Sequence, residues 1–201
     1  MSKLIVWSLA ALVSLVTWAG PVSAMTTNSN ADTVRVLIVY HSETGNTEAL
    51  AEAAAEGARS VAGVEVTVKM VDEATNEDLE ACDALLIGSP TYWGSMSTPV
   101  KQFIDSQRPF MGDKVGGAFA TGGSDGGGKE LAVLAILTAM LNNGMIVAGP
   151  HYEEGGFRFG SFGVAATTGV DSPGLDEAEL SRARLLGERV ATVAKRYRGS
   201  M

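Results

Sequence analysis

The segment Ser42-Glu43-Thr44-Gly45-Asn46-Thr47 gathers hydroxyl and amide donors around one glycine. It follows an apolar run, residues 34–40, and precedes an alanine-rich stretch with helical spacing. A strand therefore feeds a short loop, and the loop opens a helix. Backbone N–H groups in the first turn of a helix have no intrahelical partner and carry partial positive charge, so such a loop can hold a phosphate. Ser42, Thr44, Asn46 and Thr47 add side-chain donors, and Gly45 lets the backbone come close to a ligand. The loop lacks the G-K-[ST] sequence that grips a nucleoside triphosphate and its magnesium. A monophosphate held without lysine or metal fits it better; an ordinary helix cap is the competing reading.

Two further loops could complete a site. Ser89-Pro90-Thr91-Tyr92-Trp93-Gly94-Ser95-Met96-Ser97 offers two flat aromatic surfaces beside a backbone edge that Pro90 and Gly94 shape. The competing reading has Tyr92 and Trp93 packing on a neighbouring helix. Thr121-Gly122-Gly123-Ser124-Asp125-Gly126-Gly127-Gly128 is rich enough in glycine for backbone to approach a planar ligand, or to form a flexible surface loop.

The elements that would position these loops can be read from hydrophobic spacing. Continuous or alternating apolar residues predict strands at 34–40, 64–70, 83–88 and 115–121, with a fifth beginning at 145–148. Helical spacing predicts helices at 47–61, 99–106, 128–142 and 176–198, and a short linking element at 76–82. Strands alternating with helices imply a parallel sheet with helices on both faces. Such sheets bind ligands beyond the carboxyl ends of their strands, where all three loops fall.

The chain has 201 residues, 46% of them hydrophobic and 19% charged, which suits one globular domain. A net charge of −8 makes its general surface a poor partner for nucleic acid or anionic membranes. The single cysteine, Cys82, excludes an internal disulfide and a cysteine-built metal site, and is expected to be a small buried residue. Two histidines, His41 and His151, are too few for a histidine-rich metal site. Residues 1–24 stand apart: Lys3 is followed by an apolar run from Leu4 to Ala19 and by Val22-Ser23-Ala24, a small-residue cleavage pattern. They read as a secretory signal, which would make the protein periplasmic or secreted. The alternative is translation from Met25 and a cytoplasmic protein. Residues 25–33 form a polar linker, and 34–198 the domain.

Taken together, the motifs resemble the flavodoxin-like superfamily, and most closely its WrbA-type branch of FMN-dependent NAD(P)H:quinone oxidoreductases. The first loop is similar to the S/T-x-T-G-x-T phosphate loop. Gly88-Ser89-Pro90-Thr91-Tyr92-Trp93-Gly94-Ser95-Met96-Ser97 resembles G-T/S-P-T-x-F/Y-G-N-M-S, and Gly126-Gly127-Gly128-Lys129-Glu130 resembles G-G-G-Q-E. Asn143-Gly144-Met145 and the late Gly163-Val164-Ala165-Ala166-Thr167-Thr168-Gly169 extend the likeness, as does the closing helix. The resemblance implies a flavodoxin-like three-layer sandwich with a five-stranded parallel sheet. It implies FMN phosphate contacts from the first loop (Ser42, Glu43, Thr44, Gly45, Asn46, Thr47), ring contacts from Pro90, Thr91, Tyr92, Trp93 and Gly94, and contacts at the ring's other edge from Thr121, Gly122, Gly123 and Ser124. NAD(P)H would be the electron donor, a quinone or a redox protein the acceptor, and a homo-oligomer, dimer or tetramer, the assembly.

The chain departs from that branch in two places. Asn142-Asn143-Gly144-Met145 stands where the branch has His-His-Gly-Met; Asn143 is then the residue expected to border the flavin. The segment 107–113 is short and lacks the branch's tryptophan, with Phe110 as a candidate substitute or a core residue; residues 71–81 are short as well, which counts against a tetramer. His151, Glu153, Glu154 and Arg158 are expected in a loop, 151–161, that either borders a partner's flavin or is solvated. The alternative function is a flavodoxin-type electron carrier with no small-molecule substrate, whose acidic surface steers it to a basic partner. A third reading is a fold that has lost FMN, against which the intact phosphate loop argues.

Overall fold

The structure is a computed structural model that describes residues 33–154, 157–169 and 174–200. The expectations for residues 1–24 and for most of the linker lie outside the described residues. Strand β1 (Val34–Tyr40) is followed by α1 (Asn46–Arg59), β2 (Val64–Met70), α2 (Asn76–Ala81) and β3 (Ala84–Tyr92). A two-residue β4 (Ser95–Met96) turns back on β3, and α3 (Thr98–Ser106), β5 (Val115–Gly122) and α4 (Lys129–Asn142) come next. The parallel sheet runs β2-β1-β3-β5. Beyond β5 lies the fifth strand position.

The fifth strand is more divided than the sequence suggests. β6 (Ile146–Val147) pairs with Val115 and Gly116 at the start of β5, while β9 (Val164–Thr167) pairs with Phe119–Gly122 at its end. Between them the chain leaves the sheet at Gly149-Pro150, where the proline offers no N–H to the ladder. The expected loop at 151–161 is a hairpin of β7 (His151–Glu154) and β8 (Phe157–Gly160), with Tyr152 and Phe159 stacked at 5.8 Å between ring centroids. His151 is exposed on it; the side chains of Glu153, Glu154 and Arg158 lie outside the described ones. The chain regains β5 at Gly163, where a methyl would overlap the Ala118 carbonyl.

Alternation along β1 divides the core in two. Val34, Val36, Ile38 and Tyr40 face α1 and α5 (Glu177–Arg198), with Leu50, Ala54, Leu186 and Val190. Leu37 and Val39 face the opposite layer, with Leu79, Phe103, Ile136 and Met140 from α2, α3 and α4. Edge strand β2 keeps Glu65 exposed, which discourages pairing with another chain. Helix ends follow capping chemistry: Thr75 and Asp78 make a capping box on α2, and Asp176 accepts the Glu179 N–H at 2.9 Å to start α5.

Candidate functional site

The three loops leave the carboxyl ends of β1, β3 and β5 and meet. Thr47, in the first turn of α1, and Thr121, near the end of β5, share a hydrogen bond of 2.8 Å between buried hydroxyls. His41 Nδ1 lies 3.1 Å from Ser97 Oγ, and Ser97 is bound to Ser89, whose hydroxyl accepts the Ser97 N–H at 2.8 Å. The first and second loops are thereby joined. A Cβ on Gly128, whose φ is +82°, would fall 2.7 Å from Gly94 Cα, so the second and third loops touch backbone to backbone. Thr167 Oγ1 donates to Asp125 Oδ1 at 2.6 Å and ties the third loop to β9. That bond, then the charge of Lys129, holds the Asp125 carboxyl below its usual range.

Within the first loop, Gly45 takes the left-handed φ of +83° as the residue before α1, and no side chain caps the helix. Ser42 Oγ accepts the Gly45 N–H at 3.1 Å, and Asn46 Nδ2 donates to Thr44 Oγ1 at 3.0 Å. The loop is thus shaped from within while the first-turn donors of α1 have no side-chain cap, the arrangement that suits an anion. Thr47 departs from the expectation that every hydroxyl faces the ligand: its hydroxyl is engaged with Thr121 beneath the loop.

The second loop is a tight hairpin. Tyr92 pairs with Ser95, and Trp93 and Gly94 form the two-residue turn with φ of +52° and +75°. Positive φ at a tryptophan costs roughly 1–2 kcal/mol. Trp93 recovers none of this by packing on a helix; its side chain is fully exposed. Tyr92 is half-exposed, and partial desolvation, then a hydrogen bond with Glu43, raises its phenol above its ordinary pKa. Thr91 Oγ1 is buried with no hydrogen-bond partner.

Asn143 does not join this group. Helix α4 runs antiparallel to β5, and its 14 residues carry the chain about 21 Å away from the loops before Asn143 is reached. There Asn143 Oδ1 accepts the Met111 N–H at 3.4 Å. Phe110 is at the same far end: it is exposed, with its ring against Gly112 and Gly144. It is neither in the core nor beside the loops. A cleft of about 1210 Å³ runs between α3 and α4 and is lined by Met96, Ile104, Phe110, Ala139 and Met145. Sequence reasoning missed His41 and Ser97 as a link and Lys129 as a buried charge; the position of each after a strand end was the signal available.

A family model described as NADPH-dependent FMN reductase matches residues 34–154. The chain belongs to this family. Similar proteins include an NAD(P)H dehydrogenase (quinone) of Archaeoglobus fulgidus, 38% identical over 81% of this chain and 98% of its own length. Another, of Methylocella silvestris, is 34% identical over 82% of this chain and 99% of its own. A flavodoxin of Aquifex aeolicus is 45% identical, over 57% of this chain and 64% of its own. Among solved structures, a flavodoxin, WrbA-like protein from Agrobacterium tumefaciens superposes with a TM-score of 0.65 at 29% identity, over 82% of this chain and 99% of that one. FMN is the cofactor of the FMN reductase family, and the residues present fit it. Helix α1 leaves its N-terminus without a side-chain cap, Thr91 keeps a buried unpaired hydroxyl, and Trp93 exposes its ring where the loops converge.

Proposed function

We propose that this protein is an FMN-dependent oxidoreductase that takes electrons from NAD(P)H and passes them to a quinone. The observation that carries the reading is the convergence of three loops beside an uncapped α1 N-terminus, in a chain of the FMN reductase family. Ser42, Glu43, Thr44, Gly45, Asn46 and Thr47 would hold the phosphate end, with backbone N–H groups of α1 as the main donors. Pro90, Thr91, Tyr92, Trp93 and Gly94 would flank one side of the ring, and Thr121, Gly122, Gly123 and Ser124 its other edge. FMN, when bound, supplies the hydride-accepting and electron-donating chemistry. The chain orients it, and the aromatic pair Tyr92 and Trp93 excludes water from one face. No side chain acts as a nucleophile.

Purified protein beginning at Met25, reconstituted with FMN, should bleach near about 450 nm when NADH or NADPH is added without oxygen, and recover when a soluble quinone follows. A flavin that is reduced by dithionite but ignores both nicotinamides would establish the second reading, a flavodoxin-type carrier. That reading is favoured by the net charge of −8, which would steer the protein to a basic partner.

Residues 1–24 would act as a secretory signal and send the protein to the periplasm or outside the cell; the alternative is a cytoplasmic product that starts at Met25. Both readings give a chain that begins at Met25, so the test is the precursor: a longer form beginning at Met1 should accumulate when export is blocked, and its absence would establish the start at Met25. A homo-oligomer, dimer or tetramer, belongs to the same reading; sedimentation of the FMN-loaded protein tests it.

A further inference from the structure

Lys129 is the first residue of α4, follows the glycine run of the third loop, and has a side chain only 5% exposed. Its position is unfavourable on two counts: burial disfavours a charged ammonium, and a helix N-terminus already carries partial positive charge. Its stem lies along Gly122, where a Cβ would meet Lys129 Cβ at 3.4 Å and Lys129 Cδ at 3.6 Å, with Thr91 Cβ at 3.8 Å on the same spot. The residue before it, Gly128, touches Gly94. Lys129 therefore sits at the junction of the second and third loops. Its Nζ donates to the Asp125 carbonyl at 3.2 Å and stands 3.6 Å from Asp125 Oδ1 and 3.3 Å from Glu130 Oε1. Both carboxylates are well exposed, so water screens them, whereas the ammonium is shielded from water.

We propose that Lys129 is an electrostatic positioning residue that makes the site bind reduced FMN in preference to oxidised FMN. Two-electron reduction adds negative charge to the flavin ring. A buried cation beside the loops that hold the ring stabilises that added charge, and it offsets Asp125 and Glu130, which would otherwise oppose it. Both effects have the same sign, so removing the lysine disfavours the reduced form. The inference rests on FMN occupying the three loops.

The test is anaerobic calorimetric titration of the apoprotein with oxidised FMN and with dithionite-reduced FMN. It compares the unaltered chain with Lys129→Gln, which removes the charge and is the residue of the resembling G-G-G-Q-E motif, and Lys129→Arg, which keeps the charge. Lys129→Gln should weaken reduced FMN about tenfold more than oxidised FMN, equivalent to lowering the two-electron potential by about 30 mV, and Lys129→Arg should restore the ratio. Equal loss for both forms would make Lys129 a structural strut and overturn the proposal, as would no change in either. Failure of the unaltered chain to bind oxidised FMN would overturn the cofactor assignment itself, a separate result read before any variant is made.

Discussion

On one face of the sheet, α1 and α5 cross so closely that Gly57 lies against the Arg184 carbonyl and Gly187 against the Ala54 carbonyl, each with no room for a methyl. On the other face, α3 and α4 stand apart over a cleft of about 1210 Å³ that reaches Leu85 and Ile87 of β3. The closed face is held further by Arg184, which pairs with Glu56 of α1 and Glu177 of α5, both at 2.7 Å. α1 also carries the phosphate loop. The close crossing immobilises the helix whose N-terminus must meet an anion, and such pre-ordering spares the binding energy that a mobile loop would lose. The open face has no comparable demand on it. Its helix α4 is apolar on nearly every side, with Leu131 and Leu141 exposed.

The comparison breaks most readily at the helix crossing. Gly187→Ala should destabilise by about 4 kcal/mol, because the new methyl meets backbone that cannot rotate away, far outweighing the gain in helix propensity. Ala139→Leu, which adds more atoms but points toward the cleft, should change stability by less than about 1 kcal/mol. Urea unfolding of both variants decides the matter; equal losses would mean that the two faces are packed alike.

A second consequence concerns the loop that the closed face supports. Thr44→Ala with Asn46→Ala removes two donors and the Asn46–Thr44 hydrogen bond, and should weaken FMN binding by about 3 kcal/mol, or about 100-fold. The melting transition should hardly move, since both residues are at the surface. A large fall in melting temperature with unchanged FMN affinity would place these side chains in the scaffold. Thr47→Val is the converse case. It leaves the buried Thr121 hydroxyl without its 2.8 Å partner and should cost about 1.5 kcal/mol of stability, measured in the same urea titration without FMN.

These contrasts also explain what could be read from the chain before its structure. β1 and β2 match their expected bounds because Thr33 and His41 bracket β1, Gly63 precedes β2, and the two pair in one parallel register along their whole length. The converging loops were legible because each follows a strand end in a parallel sheet. The fifth strand was legible only at its start, where β6 falls within the expected 145–148; its continuation in β9 was not, since a four-residue fragment after a hairpin is too short to show a period. Asn143 was misplaced for a different reason. Sequence shows that a residue ends a helix, but its distance from a loop follows only from the direction in which that helix runs. Lys129 escaped notice because a lysine after a glycine run reads as solvated; burial against Gly122 is a property of the folded loops alone.

Cys82, away from the cleft and beside a small cavity between α2 and the β1–β2 edge, offers a finer gauge of how far water enters the core on this side of the sheet. It lies at the end of α2 in that core, its thiol donating to the Leu79 carbonyl at 3.3 Å, and burial pushes its pKa up to about 11. An unfolded thiol ionises near about 8.5. Between those values the unfolded chain has released a proton that the folded chain retains, so stability falls as pH rises, starting near the unfolded value and levelling off above the folded one. The loss should be about 1 kcal/mol by pH 9. Cys82→Ala removes this contribution while lysines and tyrosines titrate unchanged, so the difference in stability between the two proteins should narrow by that amount between pH 7 and pH 9. In the folded protein the thiol should also react slowly with iodoacetamide at pH 8. A flat difference together with rapid alkylation would mean that water reaches the core beside α2, and the contrast with the closed α1–α5 face would then extend beyond the cleft into the core itself.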